Sequence, residues 1–213
     1  HKRPAADACL RIFPTPEKIY MQLHQHVGGA ARPVVLVGQK VRKGQLLADA
    51  QGNISAPIHA PVSGTVSAIG DVTAPHPSGL PFKAITVESD GLNLWTESDV
   101  LADPFAAAPE EIAKRAAQAG VVGLGGATFP SAVKFALGKR LKVGTLIVNG
   151  GECEPYLSSD DRIMRDFPEQ VVDGARLVMH AIGASEALVG IEDNKPEAIA
   201  AMRKAAEAYP EVK

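Results

Sequence analysis

Up to about Trp95 the apolar residues come in short runs broken by Gly and Pro. Residues 33–37 (Pro-Val-Val-Leu-Val), 45–48, 64–69 and 84–88 read as strands, and such strands with closely spaced turn signals predict a small all-β barrel or sandwich. The period changes at Pro109. A helix starts there with Glu110 and Glu111 in its first turn, where acids suit the helix dipole, and Gly120 stops it. A glycine-rich loop follows, then a helix over about 130–138, a strand at 145–148 and a helix over about 168–182 stopped by Gly183. A strand at 187–191 and a helix opened by Pro196 complete the run. Alternating strands and helices predict a mostly parallel, Rossmann-like sheet. A further strand is due after the Pro196 helix, so the sheet reads as incomplete and the chain as a piece of something longer. The fold class is therefore α+β overall: a β domain over 1–95, a connector over 96–108 and an α/β domain over 109–213.

The chemistry concentrates in two segments of the second half. Gly123-Leu-Gly125-Gly126-Ala-Thr-Phe129-Pro130-Ser-Ala-Val-Lys134 leads from a loop into a helix. Glycines leave backbone N–H groups unobstructed, Pro130 suits a first helical turn, and a helix N-terminus attracts anions. Lys134 lies about one turn further on, within reach of a phosphate. The second segment, Asn149-Gly-Gly-Glu152-Cys153-Glu154-Pro155, leaves the end of an apolar strand, where open α/β sheets place ligands. The spacing excludes two common phosphate motifs. A Walker A loop needs Gly-Lys-Ser/Thr, and Thr128 stands where a dinucleotide fingerprint needs Gly or Ala. A tight turn with no ligand remains the alternative for the glycine cluster taken alone.

Each candidate also has a plainer reading. Phe129 can be a core residue at a helix start, Lys134 a solvated helix lysine, and Asn149 a strand terminator. Glu152 and Glu154 can be exposed turn acids, or charge-assisted acceptors for ribityl and ribose hydroxyls. Cys153 reads as a packed small residue, because no histidine lies close in sequence to activate it. His24 and His26 alternate like metal ligands but lack the further ligands that zinc needs, so they read as polar barrel positions. His59 and His76 are assigned no chemistry, and no residue is assigned as catalytic or as a metal ligand.

Composition narrows the classes. The 213 residues carry a net charge of −2 with dispersed Lys and Arg, which speaks against a nucleic-acid binder. No apolar run approaches the roughly 20 residues of a membrane-spanning helix. Two cysteines, Cys9 and Cys153, are too few for an iron–sulfur cluster.

Taken together, the two segments and the N-terminal module resemble RnfC (also called RsxC), the peripheral subunit of the Rnf ion-translocating electron-transport complex. The two segments are also similar to the flavin- and NADH-binding subunit of respiratory complex I. The resemblance runs from His1-Lys2 to Ile191-Glu-Asp-Asn-Lys-Pro196. It implies FMN and NADH as cofactor and electron donor, with Gly123, Gly125 and Gly126 around the flavin, Phe129 against the nicotinamide and Lys134 on the flavin phosphate. Asn149 and Glu152 are then turned toward flavin and Glu154 toward NADH, while Asp161 and Arg162 support the loop. It further implies two [4Fe–4S] clusters in a C-terminal region beyond these residues, other Rnf subunits as partners, and a peripheral place on the cytoplasmic face of the bacterial inner membrane. The coupled ion is sodium or a proton. Leu124, Thr128 and Gly151 depart from complex I, where arginine, glycine and aspartate stand; Leu124 and Gly151 point to the Rnf branch. Two rivals share these features: a corrinoid reductase of bacterial microcompartments, and a docking module with no catalytic role.

The phrase Val37-Gly-Gln-Lys-Val41-Arg-Lys-Gly44-Gln45 with Ala60-Pro-Val-Ser-Gly64-Thr-Val66 resembles the biotinyl/lipoyl carrier fold. Carriers attach their prosthetic group to a lysine at a hairpin tip. The matching connection, 49–55, contains no lysine, so a structural barrel without a covalent group is expected.

Overall fold

A computed structural model describes Ala5, residues 8–97 and residues 99–213. The opening His1-Lys2 of the resemblance lies outside the described residues. The chain forms two compact units. One comprises Phe13–Ala102 with Ala113–Lys134; the other comprises Asp103–Ile112 and Phe135–Lys213 with the described residues up to Ile12.

The first unit holds seven strands: β1 (Lys18–Gln22), β2 (Arg32–Pro33), β3 (Lys40–Val41), β4 (Leu46–Asp49), β5 (Ile58–His59), β6 (Gly64–Thr73) and β7 (Pro81–Ser89). They form one sheet ordered β1-β7-β6-β3 and another ordered β2-β4-β5, with every pairing antiparallel. β7 is paired on both sides, and its residues Ala84, Ile85, Thr86 and Val87 are all buried. The core is aliphatic, built around Leu23, Val41, Leu47, Ile58, Val66, Ile85 and Val87. This is the expected β domain.

Its details differ from the sequence pattern in one place. The run at 33–37 was expected to be a strand, but pairing as a strand is confined to Arg32 and Pro33. The Val34 N–H still donates to Leu47 O; then the Leu36 N–H donates to the Gln39 side chain and the Gln39 N–H to Leu36 O. This local turn leaves Leu36 and Val37 exposed, so of the run only Val35 is buried in the core. The 49–55 connection is held down instead of standing free. The Gly29 N–H donates to Ile54 O, Ser55 Oγ donates to Gly29 O, and the Ala56 N–H donates to His26 Nε2. His26 is buried and serves as this backbone acceptor, whereas His24 is exposed.

The connector leads to α1 (Pro109–Gln118), which carries the expected acids in its first turn. α2 (Ser131–Leu141) follows the glycine loop. In the second unit, β8 (Thr145–Gly150) and β9 (Glu186–Ile191) pair in parallel from Thr145↔Glu186 to Gly150↔Ile191. Val212 adds a parallel bridge to Ala187 on the other side of β9. α3 (Ser159–Asp166), α4 (Pro168–Ile182) and α5 (Pro196–Ala206) complete the unit. Its core joins Met164, Val172, Met179, Ala187, Ala198 and Met202. Pro168 and Pro196 open their helices and Gly183, at φ 77°, caps α4, as their sequence positions suggest. α3 was not expected: Asp161 and Arg162 sit on a helix rather than in a loop. Its eight residues are mostly charged and bury only Asp161 and Met164, so they show little apolar periodicity.

The tightness of the β core yields a prediction. Leu47 is 0% exposed, so Leu47→Ala should lower the unfolding free energy by about 2–5 kcal/mol. Leu36, 75% exposed, should tolerate alanine within about 0.5 kcal/mol. Trp95 packs beside Lys43 in this unit, so its fluorescence during urea titration reports both variants.

Candidate flavin-binding segments

The two candidate segments fall in different compact units, and each builds a distinct local environment. In the first unit the glycine loop is pinched at its base. Val122 and Pro130 form an antiparallel bridge, the Gly123 N–H donates to Phe129 O at 2.8 Å, and the Ser131 N–H donates to Val121 O at 2.9 Å. Residues 124–128 therefore bulge from a closed neck. No atom lies within 4 Å of where a Cβ would stand on Gly125 or Gly126, and Gly126 has φ 112°, a region open to glycine. Thr128 has φ 48°. That left-handed conformation explains why glycine suits this position in the complex I pattern, and the threonine here carries some backbone strain.

Lys134 lies in the first turns of α2 and folds back over the neck. Its Nζ is 5.8 Å from the Phe129 ring centroid, and a Cβ on Gly123 would come within 3.2 Å of it. Lys134 is exposed, no acid stands in the first turn of α2, and among the described residues no carboxylate pairs with it. Open glycines, a helix start and an uncompensated lysine make a cradle whose chemistry fits a phosphate. Gly123, Gly125, Gly126, Phe129 and Lys134 are thus gathered locally.

In the second unit Asn149, one residue before the end of β8, is exposed, and its Oδ1 accepts the Gly151 N–H at 3.0 Å, which turns the chain. Gly150 is buried against its neighbours: a Cβ there would stand 2.9 Å from Gly190 O and 3.0 Å from Met164 Sδ. Glu152 is directed inward and is only 3% exposed. Its Oε1 accepts the Asp160 N–H at 2.9 Å and the Ser159 hydroxyl at 3.1 Å, both at the start of α3. Its Oε2 accepts from Lys195 Nζ at 3.1 Å. Cys153 is exposed, contrary to its expected packing, because the turn swings outward after Glu152. Glu154 is exposed beside it, and Tyr156 takes φ 67° as the turn closes toward α3. The segment therefore separates its two acids, Glu152 into the interior and Glu154 to the surface.

Lys195 carried no assignment from sequence, although it lies in the Glu-Asp-Asn-Lys-Pro run at the carboxyl end of β9. Its signal was available: a lysine just before a helix-opening proline, at the strand ends where α/β sheets concentrate function. Burial alone would push Glu152 upward. The Asp160 N–H, the Lys195 and Ser159 hydrogen bonds and the Lys195 charge outweigh it and bring the carboxyl down to about 2. Burial likewise works against the Lys195 charge, but Glu152 and Glu192 raise its pKa above the usual 10.5.

This pair makes stability depend on pH with a definite sign. The folded Glu152 pKa lies below its ordinary 4.5, so its contribution is complete above that value and is lost as pH falls toward about 2. The shift corresponds to about 3 kcal/mol. Lys195 contributes fully below its ordinary value and loses its share only as pH rises through its raised pKa. Urea unfolding followed by helical circular dichroism should show wild type well above Glu152→Gln at neutral pH, with the gap closing toward pH ~2. A gap independent of pH would contradict the charged pairing.

Comparison with known proteins identifies the family. Residues 1–92 match a family model described as the RnfC barrel sandwich hybrid domain, and residues 116–213 match the Nuo51 FMN-binding domain. The chain is 48% identical over 204 residues to the C subunit of the ion-translocating oxidoreductase complex of Rhodobacter capsulatus, covering 96% of this chain and 39% of that protein. It is 50% identical over 189 residues to the equivalent protein of Pseudomonas aeruginosa, covering 89% of this chain and 24% of the relative. Among solved structures it is similar to a chain of an NAD+-reducing [NiFe]-hydrogenase, with a TM-score of 0.44 and 28% identity over 52% of this chain and 21% of that one. The chain spans about two fifths or less of the two oxidoreductase-complex relatives named here. With an RnfC-type β domain leading into a flavin-binding α/β segment in one continuous match, the chain belongs to the RnfC family.

Proposed function

We propose that this chain is the part of an RnfC protein that binds FMN and NADH, with FMN as the resident cofactor and NADH as the electron donor. The observation that carries the reading is Lys134, exposed without an acidic partner among the described residues and folded over an open glycine loop inside the segment matched by an FMN-binding family. Gly123, Gly125 and Gly126 give the phosphate close access to backbone N–H groups, and Lys134 supplies the compensating charge. Phe129 offers a flat apolar face for the nicotinamide. Asn149 and Glu154 serve the sugar hydroxyls from the exposed turn, while Glu152 stays buried behind them. The bound flavin supplies hydride acceptance and one-electron release, while these residues bind and orient.

In the full-length protein the electrons pass to two [4Fe–4S] clusters outside these residues, since Cys9 and Cys153 cannot furnish the thiolates of even one. The complex then couples this transfer with ferredoxin to movement of sodium or protons. No helix among the described residues is long and apolar enough to cross a membrane. In this reading, attachment at the cytoplasmic face of the bacterial inner membrane runs through the other Rnf subunits. The 48–50% identity to C subunits of ion-translocating oxidoreductase complexes supports this branch over a corrinoid reductase, which shares the barrel. The domain division of 1–95, 96–108 and 109–213 belongs to the same proposal.

The test is FMN titration of the full-length protein. Lys134→Ala removes a charge-assisted contact of roughly 1.5–3 kcal/mol, so the dissociation constant should rise on the order of ten- to a hundredfold. A folded variant with unchanged affinity would return Lys134 to the role of a solvated helix residue.

A further inference from the structure

Three ionisable side chains meet where the two paired parallel strands end. Lys195 Nζ stands 3.1 Å from Glu152 Oε2 and 3.1 Å from Glu192 Oε2. The Lys195 and Glu152 side chains are 5% and 3% exposed, and Glu192 keeps a third of its surface in solvent. The other oxygen of Glu152 is held by the Ser159 hydroxyl and the Asp160 N–H at the head of α3. The turn bearing Asn149, Cys153 and Glu154 is therefore tied down at Glu152 from two directions, by the end of β9 and by the start of α3.

A buried ion pair gives little net stability over apolar side chains of similar volume, so the need for a stable core does not account for it. It does two things that apolar packing does not. It turns the Glu152 carboxylate inward, and it compensates a charge that would otherwise stand alone at this end of the sheet. We infer that Lys195 is a positioning residue for the flavin site, an inference that rests on the flavin reading above. Lys195 holds Glu152 inward and neutralised, so the turn presents Asn149 and Glu154 to the ligand and keeps the Glu152 carboxylate from it. Glu192 steadies the Lys195 ammonium from its own side of the turn. Glu152 thus acts on the cofactor through the turn's shape, without touching it.

The experiment uses the full-length protein, with FMN affinity and the midpoint potential of the bound flavin as readouts. Lys195→Met leaves Glu152 anionic without its partner. FMN affinity is expected to fall by about tenfold or more, and the potential to become more negative, because an uncompensated carboxylate opposes added electrons. The double variant Glu152→Gln/Lys195→Met removes both charges. Its affinity is expected within about threefold of wild type and its potential to return, since no buried charge is left alone. A change that merely loosened the fold would not be reversed by removing a second group.

Unchanged affinity in Lys195→Met overturns the inference. So does a double variant that binds as weakly as the single one, which would place the Glu152 carboxylate on the cofactor. If Lys195→Met does not fold, the double variant decides by the same criterion. Wild-type protein that binds no FMN overturns the flavin reading and this role with it. Loss confined to the double variant, while wild type binds and Lys134→Ala weakens binding, overturns the positioning role alone.

Discussion

The buried contact between Glu152 and Lys195 is the constraint on which the α/β unit's functional end depends. Parallel strands finish side by side, and the loops leaving β8 and β9 have no ladder partner to hold them. A charge on each loop, taken out of water and matched, supplies that missing tie. Glu152 adds a second tie by accepting from the Asp160 N–H and the Ser159 hydroxyl at the start of α3, where a carboxylate also favours the positive end of the helix dipole. One side chain thereby fastens two strand ends and a helix start. The cost of dehydrating both charges explains why the arrangement is so fully hydrogen-bonded.

The glycine loop solves a different problem with different means. Gly125 and Gly126 stand in open space, so the loop is not stabilised by side chains packed against them. Its stability is moved to the neck, where the bridge between Val122 and Pro130 and the bond from Gly123 to Phe129 close the bulge. Thr128 sits at a conformation natural to glycine, so this loop tolerates strain that a glycine would relieve. Lys134 stays exposed over the neck. Lys195 differs: it is buried and compensated internally by Glu152 and Glu192.

The β domain shows the same economy. Its 49–55 connection occupies the place where carrier domains present a lysine, yet here it is strapped to the 24–29 segment through backbone bonds and the His26 ring. A tethered tip suits a structural module and not a swinging arm, in agreement with the missing lysine.

Much of the architecture was legible in the residues themselves. Short apolar runs with Gly and Pro punctuation announced the β domain. Alternating elements announced the parallel pair, and Pro168, Gly183 and Pro196 marked helix ends, because these signals act through the local backbone. The gathering of Gly123, Phe129 and Lys134 was also legible, since all three belong to one loop and the helix it opens. The run at 33–37 misled because hydrophobicity reports burial only on average, and a local turn took its far half to the surface. α3 escaped notice because only Ile163 and Met164 of its eight residues are apolar, too few to mark a period. Whether Glu152 faced a ligand or the interior was never a local question. Its burial comes with Lys195, 43 positions away, which arrives only when β9 pairs with β8. A charge's role is set by the charge brought opposite it, and only the tertiary structure chooses that partner.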